Sequence, residues 1–336
     1  MSKSKGTPDS VKDLVGQNLG QEFVAPEGWI NAYDLYKRET KNYKYLVDKL
    51  LLKSGISTVY GVEDTGKSIL ALNLLLCVTG KTNFIGKRIN KEHRHCLLIS
   101  TEDQEEDMEK RIYSMVSNDK YYQPENLKYL HTRYTSADLI EYLKEFLKTQ
   151  TVDLVVLDCF GDLFPGDLRM LNQSRVWLQE YFDLTSKYKF HLLFVHHAKK
   201  DSSEKVPHSN NCSGVGLSAK GRTAIEFRKD PEDLERRHVC IVKANHLAEE
   251  DKQDSIAVDF DNGNFKLIKN GGKQFDLLVV TPDQKKTLMN NVVALDNQGK
   301  TQSAIAEELG ISQAGVSRLL KRYDYEKKYR SDGDKK

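Results

Sequence analysis

Between residues 61 and 68 the chain reads Gly-Val-Glu-Asp-Thr-Gly-Lys-Ser, which meets the pattern GxxxxGK[ST] at every fixed position. Few short motifs constrain a fold as tightly, because this one works only between a strand that delivers the loop and a helix whose free N–H groups meet an anion. Both flanks are present: Ile56-Ser57-Thr58-Val59-Tyr60 is rich in β-formers, and Ile69 to Cys77 is an apolar helical run. The backbone of Gly61, Val62, Glu63, Asp64, Thr65, Gly66, Lys67, Ser68 and Ile69 is then expected to cradle phosphates. Lys67 would neutralise the β- and γ-phosphates and the Ser68 hydroxyl would ligate Mg²⁺.

A phosphate loop needs an acidic partner for the metal, and Leu154-Val155-Val156-Leu157-Asp158 ends a buried-strand pattern on a carboxylate. Ligands of open α/β sheets sit at that end of the strands, so Asp158 is expected beside Ser68 as a second metal ligand. Hydrolysis also needs a group to orient or deprotonate water. The run Cys96 to Asp103 puts two acids past another strand, with Glu102 the preferred candidate and Asp103 the other.

From about 54 to 270, short apolar runs alternate with longer amphipathic ones, then three strand-like runs (223–228, 238–243, 256–260) follow without helices. This predicts an α/β fold, a mainly parallel sheet with an antiparallel extension. The expected organisation is a flexible leader over 1–28, a nucleotide-binding domain over 29–270, a linker over 271–280, a small all-α domain over 281–330 and a charged tail over 331–336. The apolar run Ile69 to Val78, interrupted by Asn73, is about half the roughly 20 residues of a membrane helix. With no apolar leader segment either, the expected compartment is the cytoplasm and no membrane is expected as a partner. Five widely spaced cysteines without a CxxC pair support neither a disulfide framework nor a zinc ribbon, and read as core residues. Since 51 basic and 49 acidic residues nearly cancel, the placement of charge bears on partners and its total does not.

The order GxxxxGKS, Thr101-Glu102-Asp103 before a helix carrying Arg111, LVVLD, and then Val195-His196-His197-Ala198-Lys199-Lys200 resembles the RecA-like ATPases related to the plasmid replication protein RepA. That group is similar in core to the DnaB-type replicative helicases, and the resemblance covers roughly 45 to 270. It implies a RecA-like core, ATP and Mg²⁺ as cofactors, and a homo-oligomeric ring, a hexamer. It further implies that His196 senses the γ-phosphate and that Arg222, after the Gly/Ser-rich run 214–221, reaches the neighbouring subunit's γ-phosphate. Lys220 is the alternative finger, and Lys243 a second contact in trans. An arginine suits this role because its fork stays charged and grips phosphate bidentately. In such rings the segment after the His pair faces the channel, which makes Lys200 and Lys205 candidates for single-stranded DNA.

Residues 300–320 have the spacing of a helix-turn-helix: small Ala306 at the crossing, Gly310 at the turn, Ile305, Leu309, Ile311, Val316 and Leu319 inside, and Ser312 as a cap. Its second helix would offer Ser312, Gln313, Ser317 and Arg318 to a major groove. Arg322 and the other basic residues beside it would reach phosphates. Together these features point to an ATP-dependent DNA motor, a ring helicase of a plasmid or other mobile element. The alternative is a DNA-binding regulator or recombination accessory protein that uses ATP as a switch.

Overall fold

The computed structural model describes residues 29–40, 42–117, 122, 124–167, 170–233, 235–261, 263–309, 313, 315–317, 319–321 and 323–324. The leader and the charged tail expected from the sequence lie outside these residues. The chain divides into two units, residues 1–43 and 44–336. In the first, helix α1 (Ala32–Lys37) is opened by Asn31, whose side chain accepts from the Tyr33 N–H at 2.8 Å. It buries none of its residues, and the Tyr33 and Tyr36 rings stack along one side.

The second unit is built on a nine-stranded sheet. Its strands are β1 (Gly55–Gly61), β2 (Cys96–Ser100), β3 (Leu127–His131), β4 (Leu154–Asp158), β5 (His191–His197), β6 (Thr223–Lys229), β7 (Arg236–Ala244), β8 (Ile256–Asp261) and β9 (Asn264–Leu267), in the order β9-β8-β7-β6-β1-β5-β4-β2-β3. The pairs from β6 through β1, β5, β4 and β2 to β3 are parallel, and β7, β8 and β9 add on antiparallel. This is the α/β architecture expected, a mainly parallel sheet with an antiparallel extension. The phosphate-loop strand β1 lies next to β5, and β5 separates it from the Asp158 strand β4.

Alternation along each strand supplies both faces. Val59, Leu98, Val156, Leu193 and Phe227 pack on one side against helix α2 (Lys67–Gly80). Leu97, Ile99, Val155, Leu157, Leu192 and Phe194 pack on the other against helices α4 (Ser136–Thr149) and α6 (Leu171–Tyr188). Helix α3 (Glu105–Val116) follows β2 and buries Met108 and Met115. Helix α2 is apolar on nearly all sides, as a helix enclosed by its own core must be. Its one interruption, Asn73, is buried and donates to the Asn264 Oδ1 at 2.7 Å, so the polar group is satisfied by β9. All five cysteines are buried and unpaired with one another.

Two segments differ from expectation. The Gly/Ser-rich run before Arg222, expected as a loop, contains helix α7 (Val215–Lys220), because Leu217 inserts fully into the second core layer. The expected linker is bound to the sheet: Ser255 N donates to Lys273 O at 3.0 Å, Val280 N to Ser203 O at 2.9 Å, and Leu278 is buried. Gly272 is required there, since a Cβ would stand 2.4 Å from the Ser255 carbonyl oxygen. Beyond it, helix α8 (Pro282–Asn297) opens on a capping box between Thr281 and Gln284, and helix α9 (Gln302–Glu308) is capped by Thr301. Val292, Ile305, Ala306 and Val316 form a small core of their own, with Leu309 and Leu319 packed against it.

Candidate nucleotide-binding site

The loop from Gly61 to Ser68 leaves the carboxyl end of β1 and turns into α2. Gly66 caps that helix with φ +87°, a conformation that L side chains rarely adopt, and Asp64 also sits at positive φ, +60°. Gly61 is fixed by close approach, for a Cβ would lie 2.3 Å from the Phe227 carbonyl oxygen. The loop is braced from inside, Thr65 Oγ1 donating to Val62 O at 2.9 Å, and from β5, Ala198 N donating to Gly61 O at 2.9 Å. Lys67 is 8 % exposed, and its ammonium donates to the Val62 carbonyl at 2.9 Å. Burial lowers its pKa, opposed by the charge of Asp158.

Parallel register sets the opposite wall. Ser100 pairs with Asp158, and Asp158 with Val195, so β2, β4 and β5 end together at the edge where the loop lies. The Ser68 hydroxyl lies close enough to the Asp158 carboxylate to stabilise its charge. Burial raises the pKa of Asp158 to about 6, against the opposing effect of Ser68. A buried carboxylate beside a hydroxyl is an oxygen donor set suited to a hard divalent ion; Ser68 and Asp158 would hold Mg²⁺.

The two acids beyond β2 separate. Asp103 pairs with Arg111 at 2.5 Å, and its N–H donates to Ser100 Oγ at 3.0 Å, so it closes the start of α3. Glu102 has a half-exposed side chain, and its Oε1 lies 4.0 Å from His197 Nε2.

The two histidines separate as well, since neighbours on a strand face opposite ways. His196 is 2 % exposed, sits edge-on to Phe160 and shares a hydrogen bond with Ser213 Oγ at 2.8 Å. Burial pushes its pKa down to about 3, aided by His197 and Lys67. His197, paired in register with Gly61, emerges at the site's rim beside Glu102. Sequence reasoning passed over His197, Thr101 and Cys159. Thr101 Oγ1 donates to Asp162 Oδ2 at 2.7 Å and accepts from Cys159 N at 3.1 Å, tying β2 to the short helix α5 (Phe160–Leu163) after Asp158. The only sequence signal for Thr101 and Cys159 is that each lies next to a residue already singled out.

A family model for the AAA domain matches residues 29–203, just over half of the chain. The chain belongs to this family. The match takes in the phosphate loop, Glu102, Asp158 and both histidines of this AAA domain. Among solved structures, the chain is similar to a RadB recombinase at 14 % identity, over 64 % of this chain and 90 % of that one, with a TM-score of 0.44. Among curated proteins, none matches the chain in sequence.

The remaining residues of interest lie at or beyond the end of the matched region. Arg222 is exposed at the amino edge of the parallel strands: its N–H donates to Ile56 O at 2.7 Å and its stem passes over Gly55. That edge is a strand's length, six steps or about 20 Å, from the phosphate loop. Lys243 stands with it, its ammonium donating to Ser218 O and Ala219 O at 2.9 and 2.7 Å, and its pKa lowered by burial and by Arg222. Lys220 is directed elsewhere, to Gln179 Oε1 at 2.5 Å on α6.

The segment after β5, which carries the candidate channel lysines, is tied down along its length. The His208 N–H and the Asn211 side chain both donate to Glu226 Oε2 at 3.0 Å, and Tyr60 OH donates to His208 O at 2.8 Å. Lys205 pairs with Asp201 at 2.5 Å in an exposed position, and Lys200 is exposed in the cleft beside Val62 and Glu63. In the carboxy-terminal part, Gln313 is exposed and helical and Ser317 is helical and half-buried. Ser312, Arg318 and Arg322 lie outside the described residues, as do Gly310 and Ile311. Among the described residues, no helix is long and apolar enough to cross a membrane.

Proposed function

We propose that this AAA domain protein is a RepA-like, ring-forming DNA motor, the replicative helicase of a plasmid or other mobile element, hydrolysing ATP at subunit interfaces. The observation that carries the reading is the division of the catalytic set between two edges of one sheet. Lys67, Ser68, Glu102 and Asp158 stand at the carboxyl edge, and Arg222, exposed and without an ion-pair partner among the described residues, stands at the amino edge beside Lys243. A subunit so built completes its site with the arginine of a neighbour, which requires head-to-tail assembly.

Within that reading Lys67 binds the transferred phosphoryl group, and Glu102 orients the attacking water and takes its proton. Mg²⁺ held by Ser68 and Asp158 supplies neutralising charge for the phosphates when bound. His196, buried and hydrogen-bonded to Ser213, links the phosphate edge to the segment that carries Lys200 and Lys205, which would meet single-stranded DNA in the channel. The helices over 281–330 would bind duplex DNA for loading, through Ser312, Gln313, Ser317, Arg318 and Arg322.

The ATP-switched regulator stays as a second reading because Lys205 is engaged by Asp201 and the segment around it is pinned to Glu226. Strand displacement on a forked duplex by the purified protein with ATP and Mg²⁺ separates the two. Displacement dependent on hydrolysis supports the motor. Nucleotide-dependent DNA binding with no displacement, at protein concentrations where the ring has formed, supports the switch.

A further inference from the structure

The ends of three adjacent strands bring together side chains whose chemistry differs from that of the Mg²⁺ pair. Glu102 follows β2, Cys159 follows β4 and His197 ends β5; one ligating atom from each lies within 4.8 Å of the other two. Among the described residues this is the group of histidine, cysteine and carboxylate side chains placed to hold a metal ion. We propose that Glu102, Cys159 and His197 form a site for a thiophilic divalent cation, Zn²⁺ being the representative, at the rim of the nucleotide pocket.

The three anchors have the right mixture of rigidity and freedom. Cys159 is 3 % exposed and its backbone N–H donates to Thr101 Oγ1 at 3.1 Å, so the residue is held in place with little room around it. The His197 backbone is fixed on both sides, in register with Gly61 and through its carbonyl, which accepts from Ser213 Oγ at 2.8 Å. Its ring has a buried Nδ1 without a hydrogen-bond partner. The side chains of Glu102 and His197 are 52 % and 43 % exposed, which leaves them room to move. Tetrahedral zinc with one sulfur, one nitrogen and one oxygen ligand needs separations of about 3.3–3.7 Å between them. The gap to close is therefore about 1 Å, within the reach of the two mobile side chains.

Ligand type sets the selectivity. A thiolate and an imidazole favour zinc over magnesium, whereas Ser68 and Asp158 offer only oxygen. On binding, the Cys159 S–H bond breaks, the sulfur–metal bond forms and the proton passes to solvent. Three protein ligands leave one coordination position open. Resting on the role proposed above for Glu102, occupancy of this site withdraws the carboxylate from water and slows ATP turnover, leaving the phosphate loop free to bind nucleotide.

The test uses the full-length protein, stripped of metal and kept reduced with a phosphine, titrated with Co²⁺ as a spectroscopic substitute for zinc. One equivalent should bind, with a thiolate-to-cobalt charge-transfer band in the near ultraviolet, and Zn²⁺ should displace it. Cys159→Ser should lose the band. His197→Ala, at a half-exposed position where folding is not at stake, should weaken Co²⁺ binding at least tenfold. Zn²⁺ should inhibit wild-type turnover in excess Mg²⁺, and inhibit Cys159→Ser much less relative to that variant's own zinc-free rate. Absence of the band in the wild type, or an unchanged band in a folded Cys159→Ser or unchanged affinity in His197→Ala, overturns the site. A cobalt band without zinc inhibition supports the site and overturns the role given to Glu102.

Discussion

Arg222 and Lys67 belong to opposite ends of one strand: the Arg222 N–H donates to Ile56 O at 2.7 Å near the start of β1, and Lys67 lies in the loop that leaves its end. The two cannot meet on a single phosphate within one subunit. Arg222→Ala is therefore expected to bind ATP and to lose about 10³- to 10⁵-fold in kcat, the usual range for a missing arginine finger. Mixing it with Lys67→Ala, itself inactive, should restore part of the turnover, because some interfaces then pair an intact loop with an intact arginine. Subunits that exchange freely and show no recovery would place the finger on another residue.

Glu102 and Asp103 are neighbours with different surroundings, and their variants should differ accordingly. Glu102→Gln should retain nucleotide and turn over about 10²- to 10⁴-fold more slowly, the range for loss of a general base. Asp103→Asn weakens the Arg111 pair and should lower the unfolding midpoint with a much smaller effect on kcat. Wild-type turnover in Glu102→Gln would remove it from the mechanism.

Buried histidines make the fold sensitive to acid. His191 is fully buried against Ser57 Oγ at 2.9 Å, and burial pushes its pKa down to about 3. His196 is lowered to about 3 in the same way. The unfolded chain binds protons at these groups below about pH 6.5 while the folded chain does not, so stability falls as the pH drops from 6.5 towards 3. Each histidine contributes a slope of about 1.4 kcal/mol per pH unit in that window. Asp158, raised to about 6, acts in the opposite direction: the folded state holds its extra proton below that pH, which favours folding on acidification. Urea titrations between pH 7 and 4 should show the shallower dependence in His191→Asn. Equal slopes in the two proteins would mean that His191 is solvated.

Glu226 and Arg228, 1 % and 5 % exposed, form an ion pair at 2.6 Å, and the guanidinium also donates to Ser202 O and Leu278 O. Arg228→Met leaves the carboxylate buried without its partner and should cost about 3–5 kcal/mol in stability by urea unfolding. A loss below about 1 kcal/mol would show that water reaches the pair.

Duplex binding by the full-length protein tests the carboxy-terminal helices. The logarithm of the affinity should fall linearly with that of the salt concentration, at about −0.9 per phosphate contacted. Arg318→Ala should cost about 1–3 kcal/mol if the side chain reads a base, with relaxed preference at one position. A salt-independent affinity, or none at low salt, would make these helices a protein-docking element.

The alternation of strands and helices is legible in the sequence because each parallel strand is short, apolar and buried on both faces, as in Leu154-Val155-Val156-Leu157. Asn264-Phe265-Lys266-Leu267 is too short and mixed to announce a strand; it becomes one by pairing with β8. Helix α7 is hidden by Gly214, Gly216 and Gly221, and exists because Leu217 finds the core. The phosphate loop and Asp158 can be found from local pattern alone. What separates Glu102 from Asp103, and His196 from His197, is the direction in which each side chain leaves the sheet. The approach of Cys159 to His197 depends on strand order, which pattern along the chain does not encode.

Tyr60 stands one residue before the phosphate loop and holds the carbonyl of His208, while Glu226 on the next strand holds the same turn from the other side. The stretch carrying Lys200 and Lys205 is thereby clamped to the two strands that flank the nucleotide site. Tyr60 is both the chain neighbour of Gly61 and the donor to the His208 carbonyl, so a single hydrogen bond is all that separates the phosphate loop from this turn.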